Sequence, residues 1–349
     1  MKPSIQIYGQ FGDFWSNACV SRGIASAFVS HRWETTIHDR NGQYDGLWFN
    51  AVCGMDEADV GLYVGYAVRA TELLAGHRVK IGAFIAESAV VPQEWAACAN
   101  ICDLVVVPSR WTAQAYVRGG TNPAKVVVAH HGLHPCFAAK TSPTAKPSGK
   151  FLHVAGARDF IERKGTPQLI EAWRRLPDSV GQLIIRTPTS PALQALAPDL
   201  VGRVSFDFHD VAMRPEEMRQ YLLKGGWNAI IQPSRAESFG LCPVEARACG
   251  IPVIMTDCAG HKEHVEFNDT IIETGPEAPI KVNGIPNGLA PTVTAEAIVA
   301  AVTNFKLNED KRRRLASMMV DGRYAARWAW PVVLRKVIEK LTPSRKRRL

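Results

Sequence analysis

The segment from Pro233 to Val265 constrains the fold more than any other, because it sets a charged loop and a short helix between two apolar runs. The run before it, Trp227 to Ile231, reads as a buried strand, and Ile251 to Thr256 reads as the next. Between them Glu237, Phe239 and Gly240 fall in a loop, and Val244 to Cys249 predicts a helix. Pro243 suits its first position, where the missing N–H would be unpaired anyway. Gly250 suits the left-handed residue that ends it. Glu237 therefore stands on a strand-to-helix loop, and Glu245 lies eight residues on, inside the helix. Backbone N–H groups of Phe239 to Leu241 point forward at the helix N-terminus, where free donors and the helix dipole favour an anion. Two carboxylates beside an anion cradle suit a ligand with both phosphates and hydroxyls. A nucleotide-sugar is such a ligand.

The run E-S-F-G-L-x-x-x-E, followed by A-x-x-C-G-I-P-V-I, resembles the signature of retaining GT-B glycosyltransferases of the family 4 type, the glycosyl transferases group 1. The resemblance implies an α/β fold, GT-B, with two Rossmann-like domains facing across a cleft. It implies a nucleotide-sugar donor, UDP- or GDP-linked, and no further cofactor. By the same resemblance Glu245 binds the ribose hydroxyls, since an ionised carboxylate accepts two adjacent O–H groups. Glu237 faces the hydroxyls of the transferred sugar. Ser238, Phe239, Gly240 and Leu241 line the donor, the last three through N–H groups. A second motif lies upstream, where G-A-R-D-F-I-E-R-K-G follows the strand F-L-H-V-A. The family has an arginine and a lysine at the spacing of Arg158 and Lys164, gripping the donor diphosphate. Two cations at a helix entrance also suit the charge that grows on a departing diphosphate. Retention is expected, by front-side attack helped by the leaving phosphate, with Glu237, Arg158 and Lys164 as catalytic residues and no protein nucleophile. No D-x-D triplet occurs, so no metal clamp is expected.

The chain's 349 residues suffice for two domains. The expected boundaries are 1–137 for an N-terminal acceptor domain, 138–150 for a polar linker, 151–322 for the donor domain, and 323–349 for a crossover helix with a basic tail. No apolar run of about 18 residues occurs, so no membrane span is expected. The N-terminus runs straight into a strand and lacks a signal-peptide pattern. Eight scattered cysteines without a C-x-x-C pair argue against zinc and against a disulfide framework, and fit a cytoplasmic chain, with a position peripheral to a membrane left open.

In the N-terminal half, Ile5 to Gly9 predicts the first strand. Gly12 follows in a loop that opens a helix from about Ser16 to Val29. The family sets a glycine loop here near the donor phosphates; Gly12 is the best match and Gly9 the second. Short strands are expected at Gly46 to Val52 and Asp59 to Gly65, a helix at Val68 to Ala75, and a strand at Val79 to Ala86. Glu87 and Ser88 then stand where the family often carries an acceptor-facing histidine. Glu87 reads equally as an acceptor-side group and as a helix cap. His130, His131 and His134 lack the partners of a metal set and read as polar loop residues. The segment Tyr324 to Leu341 fits the family's last helix, which crosses back to the N-terminal domain.

Acceptor identity is left open by the sequence. A net charge of +8 favours anionic partners, either nucleic acid or an anionic membrane surface. The reading places DNA with a hydroxylated base first, with Gly12–Trp15 and Tyr44–Phe49 as stacking segments and Arg345 to Arg348 as phosphate contacts. An anionic lipid comes second, with Trp328 and Trp330 at the interface. A polysaccharide or small-molecule acceptor is ordinary for the family. A nucleotide-sugar epimerase on the same plan and a binding protein without catalysis are the other classes.

Overall fold

The computed structural model describes residues 3–12, 16–39, 59–139, 143–156, 161–282 and 285–342. Short runs of apolar residues become the centres of two six-stranded parallel sheets. The first is built from β1 (Ser4–Gly9), β2 (Glu34–Asp39), β3 (Val60–Gly65), β4 (Val79–Phe84), β5 (Leu104–Val107) and β6 (Val126–Val128), in the order β2-β1-β3-β4-β5-β6. The second is built from β7 (Lys150–Val154), β8 (Gln182–Thr187), β9 (Val204–Phe208), β10 (Trp227–Gln232), β11 (Val253–Thr256) and β12 (Thr270–Ile272), in the order β12-β11-β10-β7-β8-β9. Every residue of β5, β10 and β11 is buried, as expected of strands covered on both faces. Parallel neighbours need crossovers, and helices such as Thr166–Arg175 and Leu241–Ala248 supply them. An antiparallel hairpin, β13 (Gly275–Val282) and β14 (Ile285–Thr292), is added after β12.

Two compact units result. One holds the described residues of 1–86, 91–134 and 326–349; the other holds 87–90 and 135–325. In the first unit the C-terminal segment packs beside the strand–helix start. The Leu133 N–H donates to the Trp328 carbonyl at 2.7 Å, and the Trp330 ring lies against Gly23 so closely that any side chain there would overlap it. The short excursion 87–90 joins the second unit through its backbone. The Ala89 N–H donates to the Leu289 carbonyl at 2.7 Å, and the Leu289 N–H donates to Ser88 Oγ at 3.0 Å.

Several expectations are corrected. The helix expected at Val68–Ala75 is a 3-10 turn, Ala67–Arg69, running into a single helical turn, Ala70–Leu73. The last helix is three pieces, Arg323–Arg327, Trp330–Val333 and Arg335–Leu341; Pro331, at the start of the second, has no N–H to continue the ladder from the first. Pro243 sits third in its helix rather than first, since the helix begins at Leu241 after Gly240. That position still lies within the first turn, where N–H groups have no intrahelical partner. Trp328 and Trp330 are buried, so neither ring is exposed for a membrane interface. The strand expected at Gly46–Val52, the aromatic segment Tyr44–Phe49, residues Asp13–Trp15 and the tail Arg345–Arg348 lie outside the described residues.

The core of the second unit is centred on Trp173, which is fully buried, meets Phe151 edge-on at 5.4 Å and donates Nε1–H to the Gly181 carbonyl at 3.1 Å. Trp173→Ala removes both the ring and this bond. It is expected to cost about 3–5 kcal/mol, seen as a lower urea midpoint with an unchanged slope.

Candidate active site

The site residues of the second unit gather where β10 ends. The chain leaves β10 through Pro233, and Glu237 follows in the loop, 8% exposed. A turn from another part of the unit is laced to this loop. The Arg235 N–H donates to the Arg163 carbonyl at 2.8 Å, and Arg163 Nη1 donates to the Ala236 carbonyl at 2.8 Å. The approach is possible because Gly165 adopts φ +68° and lies against the Pro233 carbonyl, where a Cβ would clash.

This lacing builds a buried charge cluster. Lys164 Nζ lies 2.6 Å and Arg163 Nη1 3.0 Å from Glu237 Oε1, while Arg163 Nη2 lies 3.0 Å from Glu87 Oε1. Arg163 thus spans both carboxylates. Burial alone would raise the Glu237 pKa, but Lys164, then Arg163 and His261, outweigh it and hold the carboxyl well below the usual range. Glu237 is therefore a fixed anion. The sequence left Glu87 as either an acceptor-side group or a helix cap; the structure pairs it with Arg163, which also reaches Glu237. Ser88 turns its hydroxyl to the hairpin, accepting the Leu289 and Val90 N–H groups. Arg158 lies outside the described residues. Gly12 stands between β1 and the helix Ser16–Ser30, in the first unit, after Phe11, whose N–H donates to Asp39 Oδ1 at 3.1 Å.

After Glu237 the loop turns into the helix Leu241–Ala248. Gly240 caps it at φ +88°, a left-handed conformation. Phe239 is buried against His264, with ring centroids 4.9 Å apart. Its carbonyl accepts His264 Nε2–H at 2.8 Å, so His264 Nδ1 carries the lone pair, which accepts from Arg247 Nη1 at 3.3 Å. Arg247 is itself fully buried and makes a two-pronged bond to Asp269, at 2.9 and 2.6 Å. The Phe239–Leu241 backbone is thereby fixed from behind by an arginine–histidine relay.

Glu245 projects from the next turn of this helix and is half-buried. Among the described residues no cation or donor reaches its carboxylate, and burial pushes its pKa up to about 7. The loop and the helix that follows it thus present two unlike carboxylates. Glu237 is paired and always ionised; Glu245 is unpaired and half-titrated near neutrality. An unpaired carboxylate in such a place is ready for O–H donors.

Sequence reasoning missed Arg163, Arg247, His261, His264 and Asp269. Arg163 adjoins Lys164 in E-R-K-G, and the two histidines close the motif as A-G-H-K-E-H. Adjacent charges and a doubled histidine were the available signals. Two histidines of the first unit's loop have other partners. His130 Nδ1 pairs with the Pro108 carbonyl at 2.9 Å, and His131 packs against Trp330.

Residues 143–318 match the family described as glycosyl transferases group 1. The chain belongs to this family. Within the group 1 glycosyl transferases it is similar to the D-inositol 3-phosphate glycosyltransferase of Arthrobacter sp. (strain FB24), 32% identical over 121 residues. That match covers 33% of this chain and only 28% of the relative's length. Among solved structures, Anabaena HepE in complex with UDP superposes with a TM-score of 0.67 at 18% identity, covering 98% of this chain and 99% of that one. Sucrose-phosphate synthase from Thermosynechococcus elongatus superposes with a TM-score of 0.69 at 16% identity, covering 97% and 98%. The two parallel sheets are thus the GT-B fold.

Two outcomes follow from the charges. Arg163→Met leaves Glu87 and Glu237 buried without their shared cation, and is expected to cost about 3–5 kcal/mol by chemical denaturation. For Glu245 the folded pKa, about 7, lies above the ordinary 4.5. The folded state therefore keeps a proton that the unfolded chain has lost. Stability from this group is lost as pH rises from about 4.5 to about 7 and is level beyond. Glu245→Gln is expected to abolish that fall: Tm matches the parent at pH 5 and exceeds it at pH 8.

Proposed function

We propose that this chain is a retaining, metal-independent glycosyltransferase that moves a sugar from a UDP-linked donor to the hydroxyl of an anionic acceptor. The observation that carries the reading is the helix Leu241–Ala248, with Glu237 fixed before it and the unpaired Glu245 upon it. Glu245 accepts the ribose hydroxyls and is driven to its ionised form by them. The N–H groups at the helix entrance receive phosphate oxygen. Glu237 accepts a hydroxyl of the transferred sugar.

In the reaction the acceptor oxygen bonds to the anomeric carbon on the face from which the diphosphate departs. The carbon–phosphate-oxygen bond breaks, and the acceptor proton passes to the leaving phosphate. Lys164, together with Arg158, carries the growing negative charge. Lys164 is already paired with Glu237, so it serves two anions, and Arg158 is the cation not committed to that pair in the proposed scheme. The UDP choice is supported by HepE, solved with UDP and with UDP-glucose. An anionic acceptor is supported by the net charge of +8 and by the inositol 3-phosphate named for the Arthrobacter relative. On that ground a phosphorylated polyol stands ahead of hydroxylated DNA or an anionic lipid.

The test is a donor-by-acceptor screen with released UDP as readout, using inositol phosphate, hydroxymethylated duplex DNA, anionic vesicles and neutral sugars. Transfer with retention to a phosphate-bearing acceptor, undiminished by EDTA, is the expected result. Restoration of an EDTA-treated enzyme by magnesium or manganese rules out the metal-free scheme. Transfer to neutral acceptors alone rules out the anionic one. Conversion of the donor's sugar to its epimer without any acceptor shows an epimerase instead. For a DNA acceptor, affinity must also fall steeply with salt as counterions are released.

A further inference from the structure

We propose that His261 is a specificity-determining residue that accepts a hydroxyl of the transferred sugar, next to the hydroxyl accepted by Glu237. The proposal rests on the donor reading above. His261 is 1% exposed and sits on the 3-10 turn Ala259–Glu263, after β11. That turn is pinned to the Glu237 loop, because the Gly260 N–H donates to the Glu237 carbonyl at 2.8 Å. A Cβ on Gly260 would run into this same carbonyl, so the approach needs a glycine.

The hydrogen-bond pattern fixes the tautomer. Thr256 Oγ1 lies 2.6 Å from the Ser234 carbonyl oxygen, which can only accept. The single hydroxyl proton of Thr256 is used there. His261 Nδ1 lies 3.2 Å from the same Oγ1, so Nδ1 must be the donor of that pair. Burial pulls the His261 pKa down to about 4, which leaves the ring neutral at physiological pH. Nε2 is therefore a lone pair without a proton, and among the described residues it has no hydrogen-bond partner.

The Cδ2–Nε2 edge of the ring lies against the Gly240 turn: a Cβ built there would lie 2.5 Å from Cδ2 and 2.6 Å from Nε2. The turn is the entrance of the helix Leu241–Ala248, beside the Glu237 loop. A phosphate oxygen has no proton to give to Nε2 and is repelled by it. A hydroxyl has one. Glu237, ionised and also an acceptor, stands in the same loop. Two acceptors at one turn match two neighbouring hydroxyls of a hexose.

The test measures binding of UDP, UDP-glucose and the monodeoxy analogues of its glucose to the full chain by calorimetry. The variants are His261→Phe, which keeps a ring without the lone pair, His261→Leu, and His261→Gln, which restores an acceptor oxygen. The parent is expected to discriminate against two neighbouring monodeoxy analogues by about tenfold or more. The Phe and Leu variants keep UDP affinity and lose one of these two discriminations, and Gln partly recovers it. Retention of both discriminations in Phe or Leu overturns the assignment. So does loss of UDP binding in both, which would make His261 a support of the turn. A parent that binds neither UDP nor UDP-glucose overturns the donor reading itself, and this proposal with it.

Discussion

Arg163 holds the second unit's site together. Its guanidinium joins Glu87, Glu237 and the Ala236 carbonyl, three groups from two distant stretches of chain. Buried ion pairs return little net stability, because desolvation consumes much of the attraction. Their value here is geometric. With Lys164 added, two cations meet two carboxylates, and the cluster is neutral as built. These four groups therefore add no net charge to the loop.

Behind the loop, the Arg247–Asp269 pair and His264 form a second buried polar network, directed at one carbonyl, that of Phe239. Every polar group in that chain is satisfied, so the network rigidifies rather than strains. Gly165 and Gly260 complement it by letting one backbone approach another, and Gly240 by letting the His261 ring approach, each where a side chain would overlap. The Glu237 loop is thus held by ion pairs in front, by a relay behind, and by glycines at its turns.

Most of the architecture was legible in the sequence, since β5, β10 and β11 are apolar runs with no other plausible use. What escaped has definable causes. β2 is a polar edge strand, with the sequence E-T-T-I-H-D, and lacks the apolar signal of buried strands. The β13–β14 hairpin carries Pro276, Pro279, Pro286 and Pro291, which argue locally against strands and are tolerated in an isolated two-stranded pair. Glu237, Glu245 and Lys164 could be named as candidates because they sit at fixed spacing within motifs. Arg163 could not, and Glu87 could be named but not given this partner, because their pairing is a contact between residues 76 positions apart in the chain. His261 was visible as a letter, but its meaning depends on where the one proton of Thr256 goes.

The packing of residues 326–342 with the first unit has a consequence for synthesis of the chain. Trp330 fills the space against Gly23 and Gly132, so the first unit's core stays open until the whole of the second unit has been made. The earliest-made unit is thus the last able to close on the ribosome, while 135–325 can collapse as a continuous piece. Nascent chains that stall before Trp330 would carry a finished second unit and an open, apolar first unit, the form most exposed to chaperones and proteases.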